Sequence, residues 1–459
     1  MSNATDEIRS PLSAGYENAG HRSGVRQLPL IVPMLLVSLI LPFILYLGPL
    51  RLSVYRVVLI VAFVPAVVAW LAGHAGRIRI ADIALVLLCS WGAISFFVVH
   101  GTAGIQAGGM LFIETLGPYL VARVYIRSAA AFRAMVKALF LIVLFLLPFA
   151  LIEAVTGKDI LLEAMDTVWN SYPRVAKDPR WGLQRVQATF EHPILYGVFC
   201  GSVIALTYVV LGQGWSFLRR AGATFLVLFT AALTLSAGPL TGMTAQLLLL
   251  AWNRILGAVR SRWKLLACII AAMWIFLEFA SNRSPAQIFI SYFSFDQHSA
   301  YMRLHIWNFG TASILAHPLL GIGFNEWARP SWMRSSIDMY WIVPGVRHGL
   351  PAVFFNFAAF FGVVLSLIFR KGLDEAQSAC RMGIIFCLIA FFLTGWTVHY
   401  WNATYVLFHF LLGSGMWLLD ARPEDDAPDI HVEEERPPLR YRRSREDLMS
   451  TSHFGSSRQ

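Results

Sequence analysis

Charge is what this sequence has least of. Asp, Glu, Lys and Arg make up 14% of the 459 residues, where soluble domains carry about a quarter, and 57% of the chain is hydrophobic. So deep a shortage excludes an ordinary soluble domain and points to a chain whose solvent is lipid. Cysteine is scarce too: Cys89, Cys200, Cys268, Cys380 and Cys387. None lies in a long loop and no CxxC pair occurs, which excludes a disulfide framework and a cysteine-bound metal; the five read as small apolar packing residues. There is no P-loop, no GxGxxG, no metal-binding motif and no internal repeat. The first 27 residues are polar, the apolar run after them is too long for a signal-peptide core, and no small-residue cleavage site follows, which argues against a cleavable leader.

What is present is a succession of apolar runs. About twelve are long enough to cross roughly 30 Å of hydrocarbon, centred near residues 38, 63, 91, 113, 145, 203, 229, 248, 271, 361, 390 and 410. Runs of that length in lipid must be helical, because each backbone N–H and C=O has to be satisfied within its own segment. The expected fold is therefore an all-α polytopic membrane protein of about twelve transmembrane helices, with a membrane domain over 28–419. The run around 113 is glycine-rich and interrupted by Pro118, which predicts a partly re-entrant element. The runs near 229 and 248 are divided only by "SAGPLTG", a tight hairpin or one bent element.

The formal net charge of +10 would suit nucleic acid, but basic residues also accumulate in cytoplasmic loops of membrane proteins, and that reading fits better. Arginines and lysines fall in alternate loops (Arg77 and Arg79; Arg123, Arg127, Arg133 and Lys137; Arg219 and Arg220; Arg254, Arg260, Arg262 and Lys264; Arg370, Lys371 and Arg381), while the short loops between hold little besides Arg51. This predicts both termini in the cytoplasm and two long external loops, about 157–192 and 281–350, the second partly helical. The segments 1–27 and 420–459 read as a cytoplasmic N-terminal segment and a disordered cytoplasmic tail. The tail runs from an acidic block to a basic one and has few apolar residues to bury.

The polar residues gather where these external loops meet the membrane. "RWGLQRVQATFEHPILYG" carries Arg180, Arg185, Glu191 and His192; the second loop carries Arg303, His317 and, in "SIDMYWIVPGVRHGLP", Asp338, Arg347 and His348. Guanidinium groups suit phosphate because they stay charged and present a planar bidentate fork. A carboxylate or imidazole beside them can take a proton from an attacking hydroxyl. Against this stands interfacial anchoring, which accounts for most of the Trp and Tyr and some arginines; Arg329 and Arg334 read as solvated or headgroup-facing. His317, before Pro318, reads as a turn residue. His305 falls two positions after Arg303, on another helix face, and His409 reads as a packed histidine. Glu114 is the most central acidic residue within the apolar runs, whereas Glu153 and Glu278 sit at helix ends.

Four of these pieces together resemble the O-antigen ligase and polysaccharide polymerase superfamily of bacterial envelope enzymes. "RVQATFEHPILYG" is similar to an Arg-x-x-x-Thr/Ser-Phe-x-His/Asn-Pro element. "MRLHIWNFGTASILAHPLLGIGFNEW" is similar to Arg-x-x-x-Trp followed by His-Pro-x-x-Gly-x-Gly. "SIDMYWIVPGVRHGLPAVFF" resembles the closing motif of the large loop, and "LGPYLVARVYI" a helix ending in a cytoplasmic Ala-Arg. The likeness spans roughly residues 30–420. It implies a glycosyltransferase of the bacterial inner membrane that needs no metal or other cofactor. The implied donor is a glycan on undecaprenyl diphosphate, and the acceptor a second lipid-linked glycan or lipid A–core. Membrane lipid and other polysaccharide-assembly proteins are the remaining implied partners, and nucleic acid is not one.

On that resemblance Arg185 and Arg303, with Arg347 and Arg180, hold the diphosphate, and His348 or Asp338 is the base; Glu191, His192 and His317 are secondary candidates. The chain departs from the ligases at "LSAGPLTG", which lacks their arginine, and His348 stands where several members have Tyr. These departures favour a polymerase of exopolysaccharide or O-antigen type over a ligase. A secondary transporter would show related halves around a midplane site, and a flippase a cationic cavity among its helices. Those remain the readings from other classes.

Overall fold

The structure is a computed structural model that describes residues 28–48, 50–175, 177–292 and 297–423; the expectations for 1–27 and for 424–459 fall outside the described residues. The chain is an all-α membrane protein in outline, mostly helical with a single two-stranded hairpin among the described residues. Helix α1 (Ile31–Ser38) is followed by the antiparallel pair β1 (Ile44–Leu47) and β2 (Leu50–Ser53), then α2 (Val54–Leu71), α3 (Ile80–His100), α4 (Gly104–Leu111), α5 (Gly117–Tyr125), α6 (Ala129–Thr156) and α7 (Ile160–Asp166). After the first long loop come α8 (Pro193–Gly201), α9 (Val203–Leu206), α10 (Phe217–Ala232), α11 (Ala237–Ile255) and α12 (Arg262–Ala280). The second long loop contains α13 (Pro285–Tyr292), α14 (Gln297–Ala316) and α15 (Val343–His348). Helices α16 (Leu350–Phe369), α17 (Glu375–Thr394) and α18 (Asn402–Ser414) complete the bundle.

Among the described residues seven helical stretches are long and apolar enough to cross a membrane: Val54–Leu71, Ile80–Tyr125, Ala129–Thr156, Pro193–Leu211, Arg262–Ala280, Leu350–Phe369 and Glu375–Thr394. Two of the twelve apolar runs, near 91 and 113, share the second of these. It doubles back at Gly101, whose φ of +61° suits only glycine without strain. Gly108 then lets α4 return so close to α3 that an added Cβ would sit 3.0 Å from the Cβ of Ala93. A π-type turn at Phe112–Leu116 joins α4 to α5 and carries Glu114, which pairs with Arg56 at 2.7 Å. The run near 38 is split between α1 and the hairpin, because Pro42 lacks the N–H a helix needs and Gly48 turns the chain at φ +59°. The runs near 229, 248 and 410 form helices of 16, 19 and 13 residues.

Two devices fix the second loop. Tyr340 and Trp341, both 2% exposed, anchor its end: the Tyr340 N–H donates to Val398 O (3.0 Å), its hydroxyl to Asn356 Oδ1 (3.1 Å), and the Trp341 indole N–H to Phe392 O (2.9 Å) while its ring stacks on Phe357. The stretch after α14 is zipped to α15 and α3. Ile322 and Gly323 donate to Val346 O (2.9 Å) and Arg347 O (3.0 Å), Leu350 N–H to Pro318 O (2.7 Å), and the Trp91 indole to His348 O (2.9 Å). Gly321, at φ +61°, permits this approach: a Cβ there would lie 2.5 Å from Arg347 C and His348 N.

Candidate functional site

The end of the bundle that carries both long loops encloses a cavity of about 330 Å³, a size suited to a small ligand or the reacting end of a large one. Its wall is assembled from distant segments: His192 and Ile194 at the start of α8, Met302, Arg303 and Ile306 on α14, Trp332–Arg334 with Ser336 and Asp338 in the second loop, and Thr397–His399 with Trp401 between α17 and α18. The hydrogen bond from Tyr340 N–H to Val398 O sets the Asp338 and His399 segments side by side.

The charge around this cavity is mainly positive. Arg303 is buried at 9% exposure, and burial together with the nearby Arg180 pushes its guanidinium down to about 10, with Asp338 opposing. Asp338 is open to the cavity, yet the protein crowded around it pushes its carboxyl above the usual carboxylate range; Ser336, Arg303, Arg334 and Lys177 pull the other way. Arg185 is pushed down to about 10 by burial and by Arg180, and Lys177 falls below the usual lysine range through burial, Arg185 and Arg334. Five basic side chains thus act electrostatically on one another here, with Asp178 and Asp338 as the opposing charges among the described residues. A cavity in that condition favours a multiply charged anion.

Of the residues singled out in the sequence, the cavity brings together Arg303, Asp338 and His192. Arg180 and Arg185 are not among the residues that line it. Arg180 Nη1 donates to Leu235 O (2.6 Å) and Arg185 Nη2 to Ser236 Oγ (2.8 Å), so both pin the "LSAGPLTG" turn and reach the cavity through their charge. Glu191 belongs to a neighbouring network: it accepts from Asn402 Nδ2 and lies 3.9 Å from Arg51, and Asn402 and Tyr55 connect it to Arg56 and Glu114.

Arg347 donates to Gly323 O (2.6 Å) and lies over the Phe324 ring. His348 is outside the cavity, 6% exposed, with its ring edge-on to Phe96 at 4.6 Å and Nδ1 3.3 Å from Ser95 Oγ; burial and then Arg347 push it down to about 4, so it is neutral. His317 is exposed and its carbonyl accepts from Gly321, as a turn residue does.

Sequence reasoning missed His399, Trp401 and the cavity position of Arg334. His399 sits in "WTVHYWN", a short connection whose aromatic-rich polar edge is the same signal that marked the two long loops. Its Nδ1 is buried without a hydrogen bond, its ring stacks on Trp401 at 5.9 Å, and burial with Arg347 pushes it down to about 4. Among the described residues no group of three or more His, Cys, Asp or Glu side chains is close enough to hold a metal ion. No protein-family model matches this chain, and no curated protein matches it.

Proposed function

We propose that the protein is a membrane glycosyltransferase that transfers a glycan from a lipid diphosphate carrier to an acceptor hydroxyl, as a polymerase of exopolysaccharide or O-antigen repeat units. The single observation that carries this reading is the cavity at the loop end of the bundle, where buried Arg303 and the cations around it face Asp338. The resemblance of the four sequence pieces supplies the substrate class.

In this reaction the acceptor oxygen forms a bond to the anomeric carbon as the bond from that carbon to the diphosphate oxygen breaks. The electron pair leaves with the diphosphate, where Arg303 and its neighbours neutralise it; stabilising charge that develops in the transition state is the largest catalytic contribution of such a site. The hydroxyl proton passes to the Asp338 carboxylate, whose raised pKa makes it a better acceptor than an ordinary aspartate. Trp332 and Trp401 offer apolar faces on which sugar rings rest. His348 keeps the loop docked on α3, a positioning role.

The test is deletion and complementation in the source cells, with wild type compared with Arg303→Ala and Asp338→Ala at matched membrane levels and the envelope glycan sized on gels. Single repeat units in the deletion, lengthened only by wild type, support a polymerase. Long carrier-linked chains left unattached turn the assignment to a ligase. Normal glycan with both variants refutes the proposed site.

A further inference from the structure

Two histidines flank Trp401 in the cavity wall, and neither is accounted for by the transfer step above. His192 lies 6.0 Å from the Trp401 ring and His399 5.9 Å, on different segments. The His192 Nδ1 is committed: it accepts the Ile194 N–H at 3.1 Å and caps α8, so a neutral ring must carry its proton on Nε2. His399 Nδ1 is buried with no partner. A lone pair left unpaired in that position costs less than an N–H left unpaired, so this ring too carries its proton on Nε2. Both rings line the cavity, and neither Nε2 is among the buried unpaired atoms.

We propose that His192 and His399 form a pair of neutral Nε2–H donors that bind the diphosphate oxygens in the cavity that Arg303 also lines. This deepens the transfer reading and rests on it. The charge state agrees with the geometry: burial, Lys177 and Arg185 push His192 down to about 3, and burial and Arg347 push His399 down to about 4. Neutral donors are the useful kind here. They add hydrogen bonds to a leaving anion without adding cations to a wall that already carries Arg303 and Arg334, with the Lys177 charge acting on it from outside, and they hold a fixed tautomer while Asp338 handles the proton. Among the described residues Asp338 is the carboxylate that lines the cavity, and the charges acting on the rings are cationic, Lys177 and Arg185 on His192 and Arg347 on His399, so the pair stays neutral through the neutral pH range and its contribution is flat there.

The experiment uses the purified full chain in lipid nanodiscs, with inorganic diphosphate as the calorimetric probe and carrier-linked glycan extracted from deletion-strain membranes as the transfer substrate. Glutamine places an N–H near the Nε2 position of His399 but cannot take up a proton. His399→Gln is therefore expected to bind diphosphate and transfer glycan close to wild type, while His399→Ala weakens binding about 10- to 100-fold, the range for a hydrogen bond to a charged group. His192→Asn keeps an acceptor for Ile194 N–H and loses the Nε2 donor, so α8 stays capped and binding falls by a similar factor. If His399→Gln is as impaired as His399→Ala, the ring acts by proton transfer and the donor assignment fails. If Arg303→Ala loses diphosphate while every imidazole variant keeps it, this inference falls and the transfer reading stands. If Arg303→Ala also keeps it, the transfer reading itself fails.

Discussion

Replacing Arg303 by alanine is the sharpest perturbation of this site, and its size follows from burial. Arg303 is 9% exposed, so its charge and donors act where little water can substitute for them, whereas Arg334 on the same wall is exposed. Loss of one preorganised donor to a developing anion costs about 10²- to 10³-fold in kcat, or about 2.7–4 kcal/mol. An exposed, salt-screened charge is worth only about 0.2–1 kcal/mol, which is at most about 5-fold.

Initial rates of glycan extension in proteoliposomes should thus fall by about two to three orders of magnitude for Arg303→Ala and by about 5-fold or less for Arg334→Ala. Because Arg303 also holds the Asp338 carboxyl down, its loss lets that carboxyl rise further, and the residual activity should fail at a higher pH on the acid side. Thermal melting of each variant separates this from unfolding. If Arg303→Ala keeps its rate within about 5-fold, or Arg334→Ala is the more damaging change, burial does not set the strength of the anion contact and the reasoning is refuted.

Three further outcomes are expected. Transfer should decline as pH falls through the Asp338 pKa, which lies above the ordinary carboxylate range, and Asp338→Asn should remove most activity together with that acid limb in a pH–rate profile. Trp341→Ala should destabilise by about 3–5 kcal/mol in thermal melts, as a fully buried aromatic does, and should also depress the rate because Asp338 lies three residues before it. His348→Phe, which keeps an aromatic ring against Phe96, should retain transfer at matched protein levels. Wild-type His348 is neutral when folded, with a pKa near 4 against an ordinary 6.5, so folding disfavours its protonated form: stability is full above pH 6.5 and falls as pH drops towards 4. The phenylalanine variant should lack that loss, about 3 kcal/mol, in melts across the pH series.

The helical membrane character was legible in the sequence, because lipid allows few solutions and long uncharged runs announce one of them. So was the collection of polar residues at loop edges, and so were Arg303, Asp338 and His192 within it. The sequence could not say which arginines line the cavity. Arg180, Arg185 and Arg347 share the residue type and setting of Arg303, yet their guanidiniums hold Leu235, Ser236 and Gly323. His348 looked like a base beside Arg347, but three glycines at 321, 323 and 349 let the loop press it onto Phe96 and Ser95. His399 lies about 100 residues from Arg303 and enters the cavity through the backbone bond between Tyr340 and Val398. Hydropathy and residue type are local properties that a chain carries before it folds. Which side chains share a cavity depends on contacts between segments far apart in sequence, and those exist only once the two loops are docked.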